Sequence, residues 1–263
     1  MPAPDFHPLS AASHGRARGD GREYGPAANG GGDEMIVYEV SDNQACFLQM
    51  HLGGDRNFCY LLGDIESGEA AAVDPGFRAA RFASAASERG LKIARILITH
   101  GHSDHADKAA GLSRITGAPV YAGGGENVPG AEVLNDGELL TLGGKAILAL
   151  HTPGHTPGHM CYLFGKKLVT GDLLFCGKVG GTGSHFPGSS AEAEWESLQR
   201  IMKLPDDVEI FPGHDYYGGK GRMQHSTIGY ERRNNPFLLC RSFEDFLNLK
   251  DTWEAYKAEH GIR

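Results

Sequence analysis

The chain has 263 residues, long enough for one large domain with a full core. Its net charge of −8, from 25 basic and 33 acidic residues, argues against a nucleic-acid-binding surface. No apolar stretch reaches the roughly 18 residues of a membrane-spanning helix, and five scattered cysteines with no Cys-x-x-Cys pair fit free thiols in a reducing compartment, so a cytoplasmic location is expected.

Residues 1–34 are rich in Gly, Ala and Pro and carry scattered Arg, with no apolar period. Such a composition cannot form a core, so this segment is expected to be a disordered tail. It also lacks the apolar stretch of a signal peptide. Residues 35–263 are expected to form one domain, with no repeat and no second unit.

In that domain, strands are predicted near residues 35–40, 45–52, 58–62 and 70–73. A helix is predicted over 77–89, then a strand at 93–98. The next helix is predicted over 105–116, with Asp104 placed to start it. Residues 119–121, 146–150, 160–164 and 167–169 read as strands of a second sheet. Residues 191–202 read as a helix with Trp195, Leu198, Ile201 and Met202 on one face, Trp195 being a core residue. Helical character returns at 227–234 and 242–258, where Phe243, Phe246, Leu247 and Trp253 suggest a helix packing back on the domain.

The chemistry lies in the segments that follow the strands. His100-Gly101-His102-Ser103-Asp104-His105 leaves the strand at 93–98, placing three imidazoles and a carboxylate within six residues on a loop at a rigid edge. Such crowding of like ligands brings no packing gain. His155 lies in Thr152-Pro153-Gly154-His155-Thr156-Pro157-Gly158-His159, Asp172 in Val169-Thr170-Gly171-Asp172, and His214 in Phe211-Pro212-Gly213-His214-Asp215-Tyr216. Each sits on a turn after a strand-like segment, as a site at one edge of a sheet requires. Imidazole and carboxylate without thiolate suit zinc, iron or manganese. Seven such groups are too many for one tetrahedral ion and the right number for two ions sharing a carboxylate.

On these motifs the chain is identified as a member of the metallo-β-lactamase superfamily. Its nearest resemblance is to the glyoxalase II (hydroxyacylglutathione hydrolase) and persulfide dioxygenase branch, over residues 44–237. The resemblance implies an α/β fold: an αββα four-layer sandwich of two mixed β-sheets flanked by helices, with metals at one edge. It implies that His100, His102 and His155 hold one divalent ion, that Asp104, His105 and His214 hold a second, and that Asp172 bridges them. Zinc and iron are the expected metals, with manganese also suited. Asp104 and Asp172 are the expected catalytic carboxylates. Two such ions hold a hydroxide whose pKa falls from near 16 towards about 7, and that hydroxide is the nucleophile. The ions also polarise the carbonyl and stabilise the oxyanion.

Asp74, ending the strand at 70–73, resembles the family's group that orients a metal-bound His. His159 matches a position that is not a ligand and reads as structural. Lys178 and Tyr216 resemble glutathione-contacting positions, although the aromatic expected two places after that Lys is Gly180. Only a short helical extension follows His214. Arg232 and Arg233 could add charge for glutathione there, whereas Lys250 and Lys257 read as a solvated face. Cys46, Cys59 and Cys161 read as packing residues; Cys176 follows the Asp172 loop, but a redox role is not expected of it.

Three functions follow. The first is metal-dependent hydrolysis of a small-molecule thioester, glutathione-derived. The second is a dioxygenase acting on glutathione persulfide through one Fe(II) held by His100, His155 and Asp172. The third is a nucleic-acid hydrolase or an inactive regulator, disfavoured by the acidic balance and the intact ligand set. Neither a nucleic-acid nor a membrane partner is expected, and the sequence leaves the oligomeric state open.

Overall fold

The computed structural model describes residues 22–23, 35–219 and 223–262. Of the segment 1–34, only Arg22–Glu23 falls within these. It forms a two-residue strand, β1, antiparallel to the first strand of the domain. The rest of the expected tail lies outside the described residues.

The domain begins with an antiparallel meander, β2 (Met35–Ser41), β3 (Ala45–His51), β4 (Cys59–Asp64) and β5 (Glu69–Val73). Helix α1 (Ala79–Ser87) then crosses to β6 (Lys92–Leu97), which runs parallel to β5. Helices α2 (Ser103–Ala106) and α3 (Ala109–Thr116) lead to β7 (Val120–Gly123) and β8 (Glu132–Leu134), both parallel additions. Strands β1 to β8 form one sheet in chain order.

The second sheet starts with β9 (Leu139–Leu142), β10 (Lys145–His151), β11 (Met160–Phe164) and β12 (Lys167–Gly171), all antiparallel. A small hairpin, β13 (Leu174–Phe175) and β14 (Lys178–Val179), precedes α4 (Ala191–Ile201). Strand β15 (Glu209–Pro212) pairs parallel to β12, and β16 (Ser226–Thr227) closes that edge. Helices α5 (Ile228–Asn234), α6 (Phe243–Asp251) and α7 (Trp253–His260) end the chain.

The two-residue period of the strands sorts side chains between three cores. Phe47, Tyr60, Leu62 and Val73 of the first sheet meet Ile147, Ala149, Tyr162 and Phe211 of the second. Cys46, Leu48, Leu61 and Ile96 point the other way, onto Phe82 of α1 and Leu112 of α3. Cys161, Leu168 and Ile210 pack against Leu198, Ile228, Phe246 and Trp253 of α4 to α7. This is the expected four-layer αββα sandwich. Trp195 packs on Phe246, with ring centroids 5.2 Å apart, inside the third core.

Three predicted elements differ. Residues 105–116 are two helices, because the Lys108 N–H bonds to the Pro75 carbonyl at 3.2 Å instead of continuing the helical ladder. The first of them has His102 at its N-cap position, with no capping bond from the side chain, and Asp104 lies in its first turn rather than before it. Residues 119–121 belong to the first sheet, not the second: a crossover through α3 returns the chain parallel to β6, with Ile96 opposite Val120. Residues 242–258 break at Thr252, whose non-helical φ of −106° separates α6 from α7.

Phe82 is fully buried between α1 and the first sheet. Phe82→Ala should lower stability by about 3–5 kcal/mol, read from the midpoint shift in urea unfolding.

Candidate metal centre

Two of the parallel strand pairs, β5/β6 and β12/β15, direct their C-terminal ends to one edge of the sandwich. Asp74 follows β5, His100 to His105 follow β6, Asp172 follows β12 and His214 follows β15. The β10–β11 loop adds His155. All seven ligand-type residues singled out in the sequence meet there. Three overlapping groups could each hold a metal ion: His100, His102 and His155; His100, His105 and Asp172; and Asp104, His105 and His214. Within each group the candidate donor atoms lie within 4.8 Å of one another.

Asp172 sits between the groups. Its Oδ2 is 4.0 Å from His100 Nε2, 3.7 Å from His155 Nε2 and 3.5 Å from His214 Nε2, and its Oδ1 is 3.6 Å from His105 Nε2. That Oδ1 is buried and has no hydrogen-bond partner.

The ring orientations follow from what each imidazole does on its outer side. His155 Nδ1–H donates to the Gly181 carbonyl (2.7 Å), and His214 Nδ1–H donates to the Asp55 carbonyl (3.0 Å). His105 Nδ1–H donates to Asp74 Oδ2 (3.1 Å). Thr99 donates its hydroxyl to that same oxygen (2.7 Å) and so accepts from His100 Nδ1–H (3.0 Å). In their neutral forms, all four rings therefore turn an Nε2 lone pair inward. His102 turns Nδ1 inward, 3.0 Å from His100 Nε2 and 3.1 Å from His155 Nε2. His105 Nε2 and His214 Nε2 approach to 3.2 Å. Lone pairs facing one another at such distances, beside an unpartnered carboxylate oxygen, fit a bound cation.

Charge in the cluster is uneven. Burial and the neighbouring His105 hold His100 well below its ordinary pKa, and burial lowers His155. Burial also opposes charge on His214, but Asp172 and Asp104 outweigh it and push the ring up to about 10. His105 rises too, because Asp172 and Asp74 overcome its burial. Burial would raise both acidic ligands, yet the surrounding imidazoles hold Asp104 and Asp172 below the usual carboxylate range.

Asp74 accepts from Thr99 N (2.7 Å) as well as from the Thr99 hydroxyl and His105. It adopts a left-handed φ of 53°, a conformation that costs a residue with a Cβ about 1 kcal/mol or more. Just beyond it, a Cβ on Gly76 would lie 1.7 Å from the Asp104 carbonyl, so only glycine lets this turn reach the metal loop. Gly213 is under the same constraint: a Cβ there would lie 2.2 Å from Asp172 Oδ1. His159 stacks on His100 and accepts from the Asp172 N–H (3.2 Å), the structural part read for it.

Sequence reasoning missed two supporting residues. Glu126 accepts from Gly101 N, the Thr156 hydroxyl and Gly158 N, tying the His100–His105 loop to the His155 loop. Asn57 donates to Asp104 Oδ2 at 2.9 Å. Neither stands in a recognisable motif.

A cleft of about 620 Å³ opens over the cluster, lined by His102, Asp104, His155, Asp172 and His214 and, further out, by Lys178 and Tyr216. Tyr216 stacks parallel on His214 with centroids 4.4 Å apart and donates its hydroxyl to Asp55 Oδ2. Lys178 Nζ stands 5.3 Å from the Tyr216 ring, and burial lowers its pKa. Arg232 and Arg233 are engaged by Asp206 instead of the cleft. Cys176 is buried, which raises its thiol well above the usual range, and none of the five cysteines forms a disulfide.

Lys250 does not lie on a solvated face. Its side chain is 10% exposed, it is paired with the fully buried Glu194, and it donates to the Gly180 carbonyl at 2.7 Å. Lys257 is more open and pairs with Glu254 one helical turn away.

Over residues 52–214 the chain matches the family model described as the metallo-beta-lactamase superfamily, and it belongs to that superfamily. It is 33% identical over 202 residues to "Probable polyketide biosynthesis zinc-dependent hydrolase BaeB" of Bacillus velezensis, covering 74% of this chain and 87% of that one. It is also 33% identical over 209 residues to hydroxyacylglutathione hydrolase GloC of Haemophilus influenzae, covering 70% and 93%. Among solved structures, ETHE1 from Myxococcus xanthus superposes with a TM-score of 0.71 at 30% identity, covering 79% of this chain and 90% of that one.

Asp74→Asn exchanges one acceptor oxygen for a donor facing His105 or Thr99. The affinity of the cluster for zinc should fall about 10–100-fold, measured by competition with a chromophoric chelator. Glu194 gives a second expectation. Burial lifts its pKa from 4.5 to about 7 although Lys250 opposes the rise. Between those values the native chain keeps a proton that the unfolded chain has released, so this group's contribution to stability falls as pH rises. Glu194→Gln should flatten that part of the stability–pH curve, read by urea unfolding across the window.

Proposed function

We propose that the chain is a metal-dependent hydrolase that cleaves a thioester, with a glutathione-derived acyl thioester as its substrate class. One observation carries this reading: the Asp104–His105–His214 group is complete beside the His100–His102–His155 group, with Asp172 between them. A single-iron dioxygenase needs only His100, His155 and Asp172, and gives the other four residues no work.

In this reading the cluster would hold two divalent ions, zinc or iron with manganese also suited: His100, His102 and His155 would hold one, Asp104, His105 and His214 the other, with Asp172 between the two groups. Such a pair supplies a water nucleophile ionised near neutral pH and a Lewis acid for the carbonyl oxygen. The remaining work falls to the chain. Asp172, fixed through its own N–H on His159, keeps the two donor groups in register. Asp104 is held ionised at the cleft surface by Asn57 and His214, where it can orient the attacking water. Water adds to the carbonyl carbon, the C–S bond breaks, and a carboxylate and a thiol leave. Among the described residues no carboxylate forms an ion pair with Lys178, so its ammonium is suited to an anionic group of the substrate, and the Tyr216 ring forms a flat wall beside it.

Support for glutathione as the thiol comes from the likeness to GloC and from Lys178 and Tyr216 facing one cleft. Among the described residues no helix is long and apolar enough to cross a membrane. The five cysteines form no disulfide, which supports placement in the reducing cytoplasm.

Two assays test the reading on protein loaded with zinc or with iron. Thiol release from a hydroxyacylglutathione should be rapid, and Asp172→Ala should lose both bound metal and turnover; full turnover in that variant would sink the mechanism. Iron-loaded protein given glutathione persulfide should not consume oxygen. Rapid uptake, lost on replacing His100, would make the chain a dioxygenase.

A further inference from the structure

Lys250 is far from the metal motifs in sequence and close to them in space. It leaves α6 and places Nζ against the Gly180 carbonyl (2.7 Å) and the Glu194 carboxylate. The next carbonyl, that of Gly181, accepts the Nδ1–H of His155 at 2.7 Å. Consecutive peptides thus face Lys250 on one side and His155 on the other. The segment has little slack. A Cβ on Gly180 would lie 2.0 Å from the Asp172 carbonyl, and the Gly180 N–H bonds to the Leu173 carbonyl. From the other flank, Ser190 N donates to the Gly154 carbonyl at 2.8 Å, so the start of α4, which carries Glu194, braces the loop that bears His155.

We propose that Lys250 is a positioning residue for the metal centre: through Gly180 and Gly181 it fixes the ring orientation and tautomer of His155. This role rests on reading His155 as a metal donor. An outer partner that sets which imidazole nitrogen carries the proton typically changes metal affinity about 10–100-fold when removed. Lys250 would act one peptide further out, and α6, 29 residues beyond His214 at its start, thereby becomes part of the metal site.

A merely structural pair would lower stability and leave His155 as it is, so the test reads His155 directly. The protein is labelled with nitrogen-15 at histidine, freed of metal, and the hydrogen-bonded His155 Nδ1–H signal is followed by NMR, assigned by its loss in His155→Gln. The main variant is Lys250→Met with Glu194→Gln, which removes the contact without leaving a buried unpaired charge. There the signal should broaden or vanish, and zinc affinity at one of two sites should fall about 10–100-fold by chelator competition. An unchanged signal and unchanged affinity in a folded double variant would overturn the proposal. Glu194→Gln alone keeps Lys250 on Gly180 and should retain the signal. Its loss there would assign the effect to the buried pair and also overturn the proposal. Parent protein that binds no divalent ion would refute the hydrolase reading, while the His155 signal still decides the part played by Lys250.

Discussion

Three hydrogen bonds to one carboxylate set the geometry on which the centre depends. Asp74 takes the Thr99 N–H and hydroxyl and the His105 Nδ1–H, and through Thr99 it also fixes His100. Two of the imidazoles are thereby committed to one tautomer by a residue outside the donor groups. The strained backbone of Asp74 and the glycine two places later keep it close enough to do so. The same logic recurs with backbone carbonyls: Asp55 orients His214, and Gly181 orients His155. Every one of these contacts faces away from the cluster. In the neutral rings the inward nitrogens are left as lone pairs, a costly arrangement in a buried site unless a proton or a cation supplies positive charge.

The field of the cluster divides it. Around His100 and His155 burial dominates and suppresses protonation, whereas around His214 and His105 the carboxylates dominate and favour it. One end therefore resembles an imidazole donor set, with His100 and His155 kept from protonation, and the other a carboxylate-rich pocket. Ligand softness and charge differ between them, so the two ends need not prefer the same metal.

What could be read from the sequence follows how locally each feature is encoded. His100 to His105 form a string because one loop supplies four groups, and the Pro and Gly residues around His155 and His214 mark the turns that carry them. The strands at 45–52 and 58–62 were legible as apolar segments because both of their faces are buried. Edge strands such as β8 and β9 escaped notice because Val133 and Leu139, both largely exposed, leave only a weak apolar signal. Glu126 was invisible because its partners lie 25 to 32 residues away. Lys250 was misread for the same reason: a lysine on a helix looks solvated until Glu194, 56 residues earlier, is found beneath it.

Each donor group draws on both sheets. His102 and His155 meet across 53 residues of chain, and His105 and His214 across 109. Neither sheet alone contains a complete set, so the centre exists only after the two have docked. An ion bound there acts as a staple across the open edge of the sandwich, and it stabilises the docked chain in proportion to the logarithm of its free concentration. Metal supply then sets not only how much of the protein can work but also how firmly its two halves stay joined.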